Sequence, residues 1–253
     1  MPELIEISNS LGGEILYSPE LIKKLVSEKP QEMKHGETFT GRPSTLIRAD
    51  QNYAVKIRTE QKFDLPTARQ WIESTRNKEI TCQVHHPHKT WFIYLDGTIP
   101  LIGNICPLLN PLHRIFDMGE VSTNAYLEYM GSLFELYFRV MRDHGMRLDE
   151  GLSNFGIDEN QNLYYLDDDI YSFDSYHSLS HMLGVYIRKY EWLTNESCII
   201  LGEIVTDFIE QGDNSQSNRS IIVEYLKNLY MPPGRALNAL NILVQTIAPD
   251  FKH

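Results

Sequence analysis

Apolar and polar residues alternate in several short segments of the first half of the chain, whereas apolar residues recur at helical spacing in the second half. Residues 37–58 predict two or three strands. The segments TWFIYL and IPLIGNIC predict two more strands, joined by a tight turn at Asp96-Gly97. We therefore expect an antiparallel sheet in the first part of the chain.

Helix signals flank these strands. Ser18 and Asp64 each stand just before a first turn that contains proline, which predicts the starts of two helices. In the second of these helices, Ala68 and Ile72 lie on an apolar stripe that continues to Glu79. A carboxylate on an apolar stripe indicates a buried partner or a functional role.

The remainder of the chain is mainly helical in pattern. One long helix is predicted from Ser122 to the stop signal at Gly145, and further helices are predicted between residues 178 and 248. We expect an α+β, two-lobed fold. Its N-terminal lobe, residues 1–108, would hold an antiparallel sheet plus one helix. Its mainly helical C-terminal lobe, residues 109–253, would hold a short β-hairpin that carries the site.

The segment MRLDEGLSNFGIDENQNLYYLDDDIYSFD, residues 146–174, concentrates carboxylates around two strand-like runs. It places five aspartates from Asp149 to Asp169, and Asn154 lies between short apolar stretches. Like charges 4 Å apart repel by about 1–4 kcal/mol per pair, so a divalent cation is one explanation and solvated turns are the other. A hairpin at this point would bring Asn154 and Asp167 together.

Lys56 is the one cation in the apolar strand YAVKI, and Glu79 is the one carboxylate on the stripe of the following helix. An unpaired buried charge is costly, so we expect Lys56 to pair with a carboxylate of that helix. Glu79 is the first choice. Glu73, about 100° round the helix from Ile72, is the alternative if the helix is rotated.

Taken together, these segments resemble the protein-kinase-like superfamily, which includes protein kinases and the aminoglycoside and choline phosphotransferases. The matching segments, in order, are AVKI, KEITCQVHHPH, RLDEGLSNFGI and YYLDDD, all within residues 37–175. The resemblance implies a kinase-like fold with ATP and Mg²⁺ as cofactors. It implies transfer of the γ-phosphate to a hydroxyl of a small molecule or, as the second choice, of a protein.

The resemblance also implies roles for individual residues. Asp149 would orient the acceptor hydroxyl and take its proton, and Lys56, held by Glu79, would contact the phosphates. The implied Mg²⁺ ligands are Asn154, Asp167 and Asp169. The implied nucleotide contacts are Gly41, Lys56, Ile105 and Leu108.

Four features depart from the protein-kinase pattern. Arg147-Leu148-Asp149 stands where protein kinases have His-Arg-Asp, and Asp167-Asp168-Asp169 stands where they have Asp-Phe-Gly. The phosphate loop contains only Gly36 and Gly41, and no Ala-Pro-Glu follows the acidic run. These departures favour the small-molecule or atypical branches. They leave open a pseudokinase that binds or scaffolds without phosphoryl transfer, and a fold without nucleotide function.

Composition indicates which partners the protein binds and in which compartment it occurs. The net charge of −11 over 253 residues, without a Lys/Arg cluster longer than a pair, argues against a nucleic-acid footprint. Cys82, Cys106 and Cys198 are isolated in apolar surroundings, which predicts buried thiols in a reducing cytosol. The sequence shows no signal-peptide pattern and no apolar run of about 18 residues, so we expect a cytoplasmic protein with no membrane partner.

Overall fold

The computed structural model describes residues 3–30, 34–35, 38–39, 45–60, 62–118 and 122–249. Gly36 and Gly41, the glycines of the predicted phosphate loop, lie outside the described residues. The chain divides into two compact units. Unit 1 comprises Met1–Leu109 and Asp158–Asn160, and unit 2 comprises Asn110–Ile157 and Gln161–His253.

Unit 1 is built on a five-stranded antiparallel sheet. Its elements are β1 (Glu3–Ser10), α1 (Pro19–Ser27), β2 (Lys34–His35), β3 (Thr38–Phe39), β4 (Thr45–Ala49), β5 (Tyr53–Arg58), α2 (Leu65–Cys82), β6 (Thr90–Asp96) and β7 (Ile99–Pro107). The strand order is β1-β6-β7-β5-β4, and β2 pairs with β3 alone. The edge strand β1 was not predicted, because its partly buried residues follow no clean alternation.

Unit 2 is mainly helical. Its elements are β8 (Asn110–Pro111), α3 (Leu112–Met118), α4 (Thr123–His144), β9 (Met146–Arg147), β10 (Phe155–Ile157), β11 (Leu163–Tyr165), β12 (Tyr171–Ser172), α5 (His177–Lys189), α6 (Asn195–Glu210), α7 (Ser215–Lys227) and α8 (Arg235–Ile247). The predicted α+β class is confirmed, and so is the hairpin, formed by β10 and β11. Cys82 and Cys198 are buried as predicted, whereas Cys106 is partly exposed. Within the described ranges, no helix is long and apolar enough to cross a bilayer.

The predicted helix boundaries are confirmed by local hydrogen bonds. Ser18, Asp64 and Ser122 are N-caps, and each side chain accepts a hydrogen bond from the backbone N–H three residues later. Gly145 ends α4 at a φ of 61°, which glycine adopts without a steric penalty. These signals act over a few residues, so the sequence alone reveals them.

The sheet of unit 1 carries one apolar core on each face. On the first face, Val55 and Ile57 of β5 pack in a cluster that includes residues of α1. On the second face, Ala68 and Ile72 of α2 pack against β6 and β7. Because side chains alternate along a strand, Lys56 lies on the α2 face of the sheet.

Two glycines give a matched test of this packing. A Cβ on Gly103 of β7 would lie 2.7 Å from Cε2 of Phe92, a core residue on the α1 face, whereas a Cβ on Gly131 of α4 would meet no atom within 4 Å. We expect Gly103→Ala to lower the free energy of unfolding by roughly 1–3 kcal/mol through overpacking. We expect Gly131→Ala to raise it by roughly 0.5–1 kcal/mol, since alanine favours helix.

The measurement is urea unfolding of both variants, followed by tryptophan fluorescence and far-ultraviolet circular dichroism. Equal effects of the two substitutions would contradict the close approach of Gly103 to Phe92.

Candidate active site

The hairpin of β10 and β11 brings together Asn154 and Asp167, two of the three predicted metal-ligating residues. Phe155 pairs with Tyr165, and the backbone N–H of Leu166 donates to the carbonyl oxygen of Asn154 at 2.7 Å. Asp167 follows Leu166 directly, so it lies beside Asn154 at the same end of the hairpin. The juxtaposition that the sequence predicted for these two residues is present within unit 2.

A tyrosine hydroxyl joins the loop of Asp149 to the acidic run. Tyr165 Oη accepts a hydrogen bond from the backbone N–H of Asp149 and donates one to the carbonyl oxygen of Asp169, both at 3.0 Å. Burial, with the charge of Asp167 as the next cause, raises the pKa of Tyr165 well above its ordinary value. The hydroxyl therefore stays protonated and can make both bonds. The sequence did not indicate this residue.

Asp149 and Asn154 flank one small volume at Gly151. The Oδ1 atom of Asp149 accepts a hydrogen bond from the N–H of Gly151 at 3.0 Å. A Cβ placed on Gly151 would lie 3.2 Å from Asp149 Oδ1 and 3.3 Å from Asn154 Nδ2. A side chain at this position would therefore press on both polar groups, and glycine keeps the space between them open.

One carboxylate of the acidic run accepts a hydrogen bond from the backbone of the run itself. Asp167 Oδ1 accepts a hydrogen bond from the N–H of Asp168 at 2.9 Å. Asp168 is buried, whereas Asp167 and Asp169 are half-buried. The two half-buried carboxylates are thus the accessible ones, and these are the two that the resemblance assigned to metal.

The donor chemistry of this end of the hairpin fits Mg²⁺. Among the described residues, no group of three or more histidine, cysteine, aspartate or glutamate side chains could hold a metal ion. Mg²⁺ in phosphotransferases does not require such a cage, because one or two carboxylates and the substrate phosphates hold it. Asp167 and Asp169, with the amide oxygen of Asn154, supply hard oxygen donors of that kind.

In unit 1, the carboxylate of Glu79 lies in a buried polar cluster. Its Oε1 atom accepts a hydrogen bond from Lys89 Nζ at 2.5 Å, and its Oε2 atom accepts one from Trp91 Nε1 at 2.7 Å. His85 Nε2 lies 3.7 Å from Oε1. Glu79 and Lys89 are 1% and 4% exposed, so this ion pair is removed from water.

Glu79, the first-choice partner predicted for Lys56, pairs with Lys89. Trp91 on β6 and Lys56 on β5 both pair with Asn104 of β7, so two strand spacings of about 4.8 Å separate them. Glu79 is bonded to the side chain of Trp91 on β6 and to Lys89, which directly precedes that strand. The ion pair that the structure shows at Glu79 is made by Lys89, which the sequence pattern did not single out. Glu73, the alternative partner, is exposed.

The predicted nucleotide contacts differ in accessibility. Ile105 has no exposed surface and packs in the α1-face core with Val55 and Ile57. Leu108 is 46% exposed, and its backbone N–H donates to the carbonyl oxygen of Asn52 at 2.7 Å. Leu108 thus offers side-chain surface to a ligand and Ile105 does not. The nucleotide roles of Lys56 and Leu108 stay predictions.

Comparison with known proteins finds remote structural likenesses. No protein-family model and no curated protein matches the sequence. Similar structures include WbdD with the kinase inhibitor LY294002 (TM-score 0.38, 11% identity), the bifunctional kinase-methyltransferase WbdD at medium resolution (0.38, 12%) and a high-resolution crystal structure of WbdD (0.38, 13%).

The WbdD structures are longer than this chain. The matches cover 81–82% of this chain and 44–50% of the WbdD chains, so the chain spans about half of their length. At a TM-score of 0.38 the likeness is distant. The function proposed below depends instead on the residues of this chain.

The buried cluster of Glu79 predicts a specific pattern of stability. We expect Lys89→Met to lower the free energy of unfolding by about 3–5 kcal/mol, because it leaves a buried carboxylate without its cation. We expect the double variant Glu79→Gln, Lys89→Met to recover most of this loss, because no buried charge remains. Urea unfolding of both variants measures the difference.

Lys24→Met is the matched control, because Lys24 is exposed and its Nζ atom lies 3.9 Å from Asp50 Oδ2. Exposed ion pairs contribute little, so this variant should unfold much as the unsubstituted protein does. A Lys89→Met variant as stable as the control would show that Lys89 does not hold the charge of Glu79.

Proposed function

We propose that the chain is an ATP- and Mg²⁺-dependent phosphotransferase that acts on a hydroxyl of a small molecule. The observation that carries this proposal is the arrangement around Gly151 and the hairpin. Asp149 and Asn154 flank Gly151, and Asp167 lies beside Asn154. A proton acceptor and hard oxygen donors are the groups that phosphoryl transfer to a hydroxyl requires.

Asp149 suits the role of proton acceptor. Its Oδ1 atom is fixed by the N–H of Gly151, and among the described residues its Oδ2 atom has no hydrogen-bond partner. A carboxylate held by one oxygen can orient an acceptor hydroxyl with the other and take its proton. The half-buried position of Asp149 leaves it accessible to a substrate.

Asn154, Asp167 and Asp169 would hold Mg²⁺ in this proposal. When bound, the ion would neutralise negative charge on the phosphates during transfer. Lys56 keeps the phosphate-binding role that the resemblance implies, and Leu108 keeps a nucleotide contact through its exposed side chain. The absence of an Ala-Pro-Glu motif after Asp169 supports a small-molecule acceptor over a protein acceptor.

A pseudokinase is the second candidate. Arg147-Leu148-Asp149 replaces the His-Arg-Asp of protein kinases, and the phosphate loop contains only Gly36 and Gly41. These departures favour a module that binds or scaffolds without transfer. The two experiments below separate the candidates.

The first experiment concerns nucleotide and metal. We expect Mg·ATP to raise the unfolding temperature of the protein, since a ligand that binds only the folded state stabilises it by about 2.7 kcal/mol at a hundredfold excess over Kd. Asp167→Ala should abolish the Mg²⁺-dependent part of this shift. Glu159→Gln, an exposed carboxylate in the turn of the same hairpin, is the control and should leave the shift unchanged.

The result that contradicts the metal assignment is a full Mg²⁺-dependent shift in Asp167→Ala. If no nucleotide changes the unfolding temperature of the unsubstituted protein, the remaining interpretation is a fold without nucleotide function.

The second experiment concerns transfer. We expect Asp149→Asn to bind Mg·ATP with unchanged affinity and to lower turnover by about 10²–10⁴-fold, because the carboxylate acts on the acceptor hydroxyl. ATP hydrolysis and transfer to a panel of small alcohols measure turnover. Equal turnover in Asp149→Asn and the unsubstituted protein would exclude Asp149 as the base. Nucleotide binding without turnover in the unsubstituted protein would establish the pseudokinase.

A further inference from the structure

Next to Asp149, inside unit 2, lies a group of buried polar side chains that the proposed reaction does not use. Glu150 is 2% exposed, and among the described residues its Oε1 atom has no hydrogen-bond partner. The hydroxyl of Tyr137, on α4, is also buried without a hydrogen-bond partner there. The charge of Glu150 is a cause, after burial, of the raised pKa of Tyr137, so the two groups are neighbours. Unsatisfied buried groups are uncommon, and each calls for an explanation.

Glu150 is anchored through its backbone as well. Its carbonyl oxygen accepts a hydrogen bond from the hydroxyl of Tyr186 on α5. Leu148, on the other side of Asp149, is fully buried. Asp149 therefore stands between two residues fixed in the interior, and the position of its carboxylate depends on them.

Arg147 connects this group to the start of α5. Its Nη1 atom lies 3.9 Å from Glu150 Oε2, and its Nε atom lies 3.1 Å from Asp174 Oδ2. Asp174 Oδ2 in turn accepts a hydrogen bond from the N–H of Ser178 at 3.1 Å. The guanidinium carbon lies 4.8 Å from the ring centre of Tyr171, the strand partner of Arg147. Arg147 thus contacts the loop through Glu150, β12 through Tyr171, and Asp174, which is bonded to the first turn of α5.

The side chain of Glu150 fits this place as a neutral acid. Burial raises its pKa to about 8, the charges of Asp149 and Asp174 act in the same direction, and Arg147 acts against them. The other groups that face it are the hydroxyls of Tyr137 and Tyr186, on α4 and α5. Below pH 8 the carboxyl group is mainly protonated, so glutamine can take its place in shape and charge.

We propose that Glu150 is a positioning residue. Together with Arg147, it holds the loop that contains Asp149 in place from the interior of unit 2. This proposal rests on the proposed function, since Asp149 is the group positioned. It assigns to Glu150 no contact with substrate or nucleotide.

The test compares three variants of the full chain. Glu150→Leu removes both oxygens, Glu150→Gln keeps the polar shape without a charge, and Thr206→Val on α6 is the control. Thr206 Oγ1 is also a buried atom without a hydrogen-bond partner among the described residues. The measurements are the amide hydrogen exchange of Gly151 and Asn154, whose N–H groups donate within the loop, the Kd of Mg·ATP, and turnover.

We expect Glu150→Leu to increase the exchange rate of these two amides about tenfold and to lower turnover about tenfold. The Kd of Mg·ATP should change by less than about threefold. Glu150→Gln and Thr206→Val should match the unsubstituted protein in all three measurements. Rescue by glutamine is the outcome that a general loss of packing would not produce.

Unchanged exchange in Glu150→Leu overturns the proposal, whatever the turnover. Glu150→Gln as impaired as Glu150→Leu also overturns it. If the unsubstituted protein shows no turnover, the proposed enzymatic function is wrong, but amide exchange still decides whether Glu150 fixes the loop.

If Glu150→Leu does not fold, Tyr186→Phe decides, because it removes only the hydroxyl bonded to the carbonyl of Glu150. Faster exchange of the same amides supports the proposal, and unchanged exchange overturns it.

Discussion

The hydroxyl of Tyr165 connects two acidic segments of unit 2 that would otherwise repel each other. Charges 4 Å apart interact by about 1–4 kcal/mol, so the carboxylates near Asp149 and Asp169 need a support that adds no further negative charge. Tyr165 provides it by bonding to the backbone of both residues. Because only backbone groups are bonded, the side-chain oxygens take no part in these two contacts. The position of the carboxylates and their chemistry are thus set by different atoms.

The buried pair of Glu79 and Lys89 places a similar constraint on unit 1. Glu79 joins α2 to the start of β6 through Lys89 and Trp91, and Lys89 Nζ also lies 4.9 Å from the ring centre of Trp91. Such a pair adds little net stability over apolar packing, yet removal of one partner is strongly destabilising. The pair therefore fixes where the end of α2 lies on the sheet.

The features that the sequence predicted well are those with local causes. Ser18, Asp64 and Ser122 cap helices through bonds that span three residues, and Gly145 ends a helix through its own φ. The hairpin was predicted because its turn residues separate two short apolar runs. Asp149, Asn154 and Asp167 were recognised in the same way, since polar residues of these types between apolar runs are conspicuous. Their assigned chemistry came from the resemblance and stays a proposal.

The features that the sequence did not reveal depend on contacts between distant residues. The strand β1 is defined by its pairing with β6, 80 or more positions later. In the sequence Lys89 is one cation among many, and only the fold places it beside Glu79. Tyr165 is one of 14 tyrosines, and nothing near it in the sequence separates it from those that only pack.

Glu150 shows the same division at the level of the candidate site. In the sequence it is one more carboxylate in an acidic segment, next to Asp149. In the structure the two neighbours differ in kind: Asp149 is half-buried with one oxygen bonded to its own loop, and Glu150 is buried against side chains of α4 and α5. A residue that reacts with a ligand needs an accessible polar group. A residue that positions the reacting residue from the interior is buried instead. Burial therefore separates the two roles where residue type and spacing do not.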